Sequence, residues 1–91
     1  MRDIYYTYVL YSPASDKIYI SQTTDLQKRL ASHNSGKSSY TKSYIPWELV
    51  YFEEFPTRSQ AMKKEKELKS HRGREHIRNK ILPVRVWQLP D

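Results

Sequence analysis

Cysteine does not occur anywhere in the 91-residue chain. Its absence excludes disulfides, Cys-ligated iron–sulfur clusters and the usual structural zinc sites, and it suits a reducing compartment. Glycine is scarce, at two residues, and no tract is repetitive, which sets aside the collagen-like and low-complexity classes. No apolar run approaches the roughly 20 residues of a membrane span. Met1-Arg2-Asp3 leads into no signal-peptide core. The chain is therefore expected to be soluble and cytoplasmic, with one domain over residues 1–82, a C-terminal tail over 83–91, and an oligomeric state that the sequence leaves open.

What is present is unevenly placed. Residues 58–80 hold nine Lys/Arg against three Glu, whereas the segments before and after balance to zero, so this one arm carries the whole net charge of +6. Such an arm is either a solvated helix face or a surface for a polyanion, and Lys63, Lys64, Lys69, Arg72 and Arg74 are its candidate phosphate contacts. A second basic stretch, residues 37–44 (KSSYTKSY), contains no acid. It reads as a connector or as a nucleic-acid contact in which Lys37 and Lys42 meet phosphate and the tyrosines stack on bases.

The eight tyrosines begin in a hairpin. Alternation predicts strands over 5–11 and 17–22, joined by turn residues Ser12 to Ser15. That loop pairs Tyr11 with Asp16 and sets Tyr8 opposite Tyr19 on one face, with Val9, Ile18 and Ile20 on the other. A helix follows over 25–35, capped by Thr24 with Gln27 three residues on. Arg29 and His33 stack on one face of it, and Gly36 suits the left-handed position after its end. A third strand over 47–55 places Leu49, Tyr51 and Phe55 on one face and Val50 and Phe52 on the other, which calls for cover on both sides. A helix over 58–71 starts at a Thr57–Gln60 capping box. Gly73 is expected to break it before a last helix over 74–81, and Val84-Arg85-Val86-Trp87 reads as an extended tail. The fold class is α/β (α+β), a small three-stranded antiparallel sheet flanked by helices.

Glu65 is the most informative acid, because it falls within the apolar stripe formed by Ala61, Met62 and Leu68. A carboxylate there is costly unless it is paired, for example with Arg29, or binds a metal. His71 and His76 lie about 140° apart around a helix and make a poor metal pair.

The spacing of Tyr8, Tyr19, Arg29 and His33 resembles the core of the GIY-YIG nuclease family, also called the URI domain. Its two tyrosine motifs correspond here to Tyr6-Thr7-Tyr8 and Tyr19-Ile20-Ser21, with Ser21 standing where the family has glycine. The resemblance spans residues 4–80 and is closest to the small, single-domain bacterial members. It implies a metal-dependent DNA endonuclease in which Tyr8 is the general base, Tyr19 supports it, and Arg29 clamps the phosphate. His33 would bond to Tyr8 or to the phosphate, and Glu65 would hold one Mg2+ or Mn2+. Two other classes fit part of the pattern: a nucleic-acid-binding module that has lost catalysis, and a protein-interaction adaptor, which leaves Glu65 unexplained.

Overall fold

A computed structural model describes residues 3–83; the expected tail at Val84-Arg85-Val86-Trp87 lies outside them. The strands are β1 (Tyr5–Ser12), β2 (Lys17–Thr23) and β3 (Glu48–Phe55), and the helices are α1 (Leu26–Asn34), α2 (Arg58–Lys69) and α3 (His71–His76). A 3-10 turn, Thr41–Tyr44, precedes β3, and a π-helical turn, Ile77–Ile81, continues α3. The sheet is antiparallel in the order β2-β1-β3. The expected α+β architecture, with a three-stranded sheet and helices flanking it, is the one the chain adopts.

The central strand explains the two-sided cover. Thr7, Tyr8, Val9 and Leu10 are consecutive and all buried, which requires a packed layer on each face. Val9 and Ile20 pack with Leu68 and Ile77, so α2 and the Ile77 turn cover one face. Tyr8, Leu10 and Trp47 pack with Leu26, Leu30 and Tyr44, so α1 and the 3-10 turn cover the other. The one polar member of the buried run is satisfied, since the Thr7 hydroxyl donates to the Ala61 carbonyl at 2.6 Å.

Four local expectations are corrected. The hairpin closes with Ser12 opposite Lys17, so its loop is residues 13–16, and Tyr8 faces Ser21 while Leu10 faces Tyr19. The cause is Asp16, which takes a positive φ of 52° and has its carboxylate held by the Tyr11 hydroxyl and by Arg78. The register moves by two residues in sum, which preserves the alternation, so Tyr8 and Tyr19 still share a face. In β3, Val9 pairs with Tyr51 and Leu10 with Leu49, leaving Val50 as a bulge. Leu49 therefore packs on the Tyr8 side and Tyr51 on the Val9 side, and the two do not share a face as alternation predicted.

The other two corrections concern helix ends. Asp25, not Thr24, caps α1, accepting from the Lys28 N–H at 3.0 Å. Thr57 caps α2 as expected, accepting from the Gln60 N–H at 3.2 Å. The break after α2 falls at Ser70 rather than Gly73. Ser70 is extended (ψ 166°) and its hydroxyl accepts from the Gly73 N–H, so it caps α3. Gly73 lies inside α3, where it packs directly on the backbone of Glu67 and Leu68.

Candidate active site

Three elements meet at the Tyr8 face of the sheet. β1 supplies Tyr8, β2 supplies Tyr19 and Ser21, and α1 supplies Arg29 and His33. Tyr8 and His33 are almost wholly buried, at 1% and 2% exposure. The Tyr8 phenol oxygen lies 3.2 Å from Nε2 of His33, and Nδ1 of His33 lies 2.9 Å from the Thr41 hydroxyl. Tyr19 meets the imidazole edge-on, with ring centroids 4.9 Å apart at 64°. The four residues singled out from the sequence are thus neighbours, and Arg29 sits one helical turn before His33.

The segment after α1 holds the imidazole in place. Gly36 takes the left-handed conformation expected of it (φ 83°). Asn34 then exchanges two hydrogen bonds with the backbone of Trp47, donating to its carbonyl at 3.0 Å and accepting from its N–H at 2.7 Å. The Trp47 indole N–H donates to the Thr41 carbonyl at 2.8 Å. Residues 37–44 therefore contain a buried anchor, Thr41, between exposed Lys37, Lys42 and Tyr40. Thr41 was missed by sequence reasoning. Nothing in the string KSSYTKSY marks which hydroxyl turns inward.

The electrostatics follow from burial and two charges. Burial pushes the Tyr8 phenol up to about 12, with Arg29 and a hydrogen bond from Ser21 opposing the rise, while Tyr19 and Glu65 add to it. Burial, helped by the Arg29 charge, holds His33 below the ordinary imidazole value of 6.5. At neutral pH the pair is a phenol beside an uncharged imidazole. Arg29 itself is exposed, opening into a cleft of about 380 Å3 with Thr23, Asp25, Lys28 and Ser32, and no carboxylate among the described residues pairs with it.

Glu65 comes from the other layer, on α2. Its side chain is 20% exposed and its Oε2 lies 2.7 Å from Lys69 Nζ, so its ion-pair partner is Lys69, one turn on, and not Arg29. Ala61 and Leu68 of its stripe are buried, whereas Met62 is exposed at 52%. One partly buried carboxylate is an oxygen ligand of the kind a hard divalent cation takes, its other positions being filled by water and phosphate oxygens. No group of three His, Cys, Asp or Glu residues forms a complete cage among the described residues. Elsewhere on the arm, Lys64 lies 3.8 Å from both Glu53 and Glu67, and Arg74 donates to the Lys69 carbonyl. Lys63 and Arg72 are exposed, and His71 pairs with Glu75.

Ser21 fits the strand without disturbing it. Pairing continues through it to Thr23, and its side chain is half-buried opposite Tyr8. No helix among the described residues is long and apolar enough to cross a membrane.

Comparison with known proteins shows the family. The chain is 39% identical to a UPF0213 protein of Haloquadratum walsbyi over 72 residues, covering 78% of this chain and 80% of that one. It is 46% identical over 67 residues to a UPF0213 protein of Bacillus pumilus, covering 72% and 67%. The solution NMR structure of a UPF0213 protein from Bacillus halodurans superposes with a TM-score of 0.50 at 35% identity, over 81% of each chain. A family described as the GIY-YIG catalytic domain matches residues 4–80, the span that holds both tyrosines, Arg29, His33 and Glu65, and the chain belongs to that family.

Proposed function

We propose that the protein is a metal-dependent endonuclease that hydrolyses phosphodiester bonds in DNA, working in the cytoplasm. The observation that carries this reading is the buried Tyr8–His33 pair, 3.2 Å apart, with Arg29 one turn away. A phenol held near 12 supplies little phenolate at neutral pH, so Tyr8 acts as one link of a relay rather than as a preformed base. Water attacks phosphorus, its proton passes to the Tyr8 oxygen, and the Tyr8 proton passes to Nε2 of His33. The bond from phosphorus to the leaving oxygen breaks, and that oxygen takes a proton from solvent. His33 is suited to receive because burial and Arg29 keep it uncharged beforehand.

Arg29 places planar donors on the non-bridging oxygens, where charge grows in the transition state. Tyr19 packs on the imidazole edge and limits its rotation. Glu65 would hold Mg2+ or Mn2+, exchanging its Lys69 partner for the ion. A bound ion there supplies charge neutralisation and eases departure of the leaving oxygen.

The test uses plasmid and branched DNA with Mg2+ or Mn2+, comparing the parent with Glu65→Ala. The expected result is cleavage by the parent, and binding without cleavage by the variant. A folded Glu65→Ala protein that cleaves like the parent would sink the metal role. A parent that binds DNA in a salt-dependent way yet never cleaves it is a binding module that has lost catalysis.

A further inference from the structure

We propose that Thr41 is a positioning residue for the Tyr8–His33 pair: its hydroxyl accepts the Nδ1 proton of His33 and so leaves the Nε2 lone pair facing the Tyr8 phenol. Its part in cleavage rests on the nuclease reading above; the hydrogen-bond arrangement itself does not.

A neutral imidazole has one donor nitrogen and one acceptor nitrogen, and the partner of one fixes the role of the other. Among the described residues the ring has two hydrogen-bond partners, the Tyr8 phenol at Nε2 and the Thr41 hydroxyl at Nδ1. Of the two hydroxyls the phenol is the stronger donor and the weaker acceptor, so the favoured arrangement has Nε2 accept from Tyr8 and Nδ1 donate to Thr41. Thr41 can meet that donor because it is fixed from behind. It is fully buried, its carbonyl accepts the Trp47 indole N–H, and Trp47 is tied to α1 through both polar atoms of Asn34. The 3-10 turn thus closes a loop of contacts that begins and ends on α1, with the imidazole inside it. The opposite tautomer would have Nε2–H donate to the phenol oxygen, turning the Tyr8 O–H away from the ring, and would leave the Thr41 hydroxyl to donate at Nδ1. Thr41 touches neither phosphate nor metal in this scheme and acts only through His33.

The test is made on the full chain with 15N-labelled histidine. There are three histidines, so the His33 signals are assigned by their loss in His33→Gln. At pH 7.5 the parent should show one His33 tautomer, protonated at Nδ1. Thr41→Val should give mixed tautomers, and Thr41→Ser, which keeps the hydroxyl, should restore the parent pattern. In cleavage assays Thr41→Val should lose about tenfold to a hundredfold in kcat, the usual range for removing a supporting hydrogen bond, with KM for DNA within about twofold and rescue by Thr41→Ser. An Nε2-protonated or mixed His33 in the parent overturns the proposal without any variant, which keeps it decidable if Thr41→Val fails to fold. A Thr41→Val protein with the parent tautomer overturns it too, as does failure of Thr41→Ser to rescue. If the parent cleaves nothing, the spectra still decide the role of Thr41, and it is the nuclease reading that fails.

Discussion

The phenol oxygen of Tyr8 and Nε2 of His33, residues 25 apart in the chain, lie 3.2 Å apart inside the protein and join β1 to α1. Neither group is charged at neutral pH, because burial raises the phenol and lowers the imidazole. Moving the Tyr8 proton to His33 alone would create a phenolate–imidazolium pair in a dry site, so the transfer must be concerted with arrival of the water proton at the Tyr8 oxygen.

The acid side of the activity profile should report His33. Its conjugate acid cannot accept the Tyr8 proton, so kcat should fall as pH drops through the imidazole value, which lies below 6.5. Stability should fall over the same window. The unfolded chain takes up a proton near 6.5 that the folded chain refuses until lower pH, so this contribution is complete above 6.5 and is lost as pH falls through the folded value. His33→Gln should cut kcat by about 10²-fold or more and flatten both profiles between about pH 5 and 7. Chemical denaturation and initial rates across that range check it, and an unchanged acid limb in the variant removes His33 from the relay.

Arg29 should be separable from folding. The sequence allowed an Arg29–Glu65 ion pair, and breaking one would have destabilised the protein. Glu65 pairs instead with Lys69, and Arg29 is exposed. Arg29→Ala should therefore leave Tm within about 2 °C, as surface substitutions do, while lowering turnover by about 10²–10³. Arg29→Lys restores the charge but not the fork, so it should recover only part of the loss. A Tm fall of many degrees in Arg29→Ala would show that it has a structural partner.

Gly73 gives a test of the packing between α2 and α3. A methyl group there would come within 2.5 Å of the Leu68 Cα and closer still to the Glu67 carbonyl, and backbone cannot step aside as a side chain can. Alanine is the better helix former by about 1 kcal/mol, but the collision should exceed that gain. The net expectation for Gly73→Ala is a loss of about 1–2 kcal/mol, or about 4–16 °C in Tm for a domain of this size. A more stable variant would mean that the backbone of α3 can shift away from α2 at little cost.

The parts of the fold legible in the sequence were those set by periodicity. Strand alternation placed Tyr8 and Tyr19 on one face even though the loop was misplaced, because a shift of two residues in sum keeps parity. The bulge at Val50 was not legible, since β3 is apolar on successive residues and either pairing satisfies the pattern. The break at Ser70 was hidden by Gly73, whose role is close approach rather than helix termination. In the site, Arg29 and His33 followed from helical spacing, whereas Thr41 depends on a turn whose inward residue is chosen by Trp47 and Asn34. Long-range choices of that kind leave no local signature.

The last prediction concerns which basic residues meet DNA. The Tyr8–His33 pair lies on the sheet face covered by α1 and the 3-10 turn, with exposed Lys37 before that turn and exposed Lys42 within it. The charged arm sequence reading singled out covers the opposite face, where Leu68 and Ile77 pack on Val9 and Ile20. Part of its charge is already engaged, with Lys64 between Glu53 and Glu67 and Lys69 on Glu65. A duplex positioned over Tyr8 and Arg29 therefore reaches the loop lysines more readily than Lys63 or Arg72. Each phosphate contact contributes about −0.9 to the slope of log K against log salt. The double variant Lys37→Ala/Lys42→Ala should make that slope shallower by about 1.8, and Lys63→Ala/Arg72→Ala should change it by less. Fluorescence anisotropy with a short duplex between about 50 and 300 mM salt gives both slopes, kept below salt at which residual binding vanishes. Equal changes would mean that DNA wraps past the β2 edge onto α2. A larger effect from the arm would overturn this placement of the duplex against the loop lysines and run the bound strand along α2, on the Glu65 side of the site.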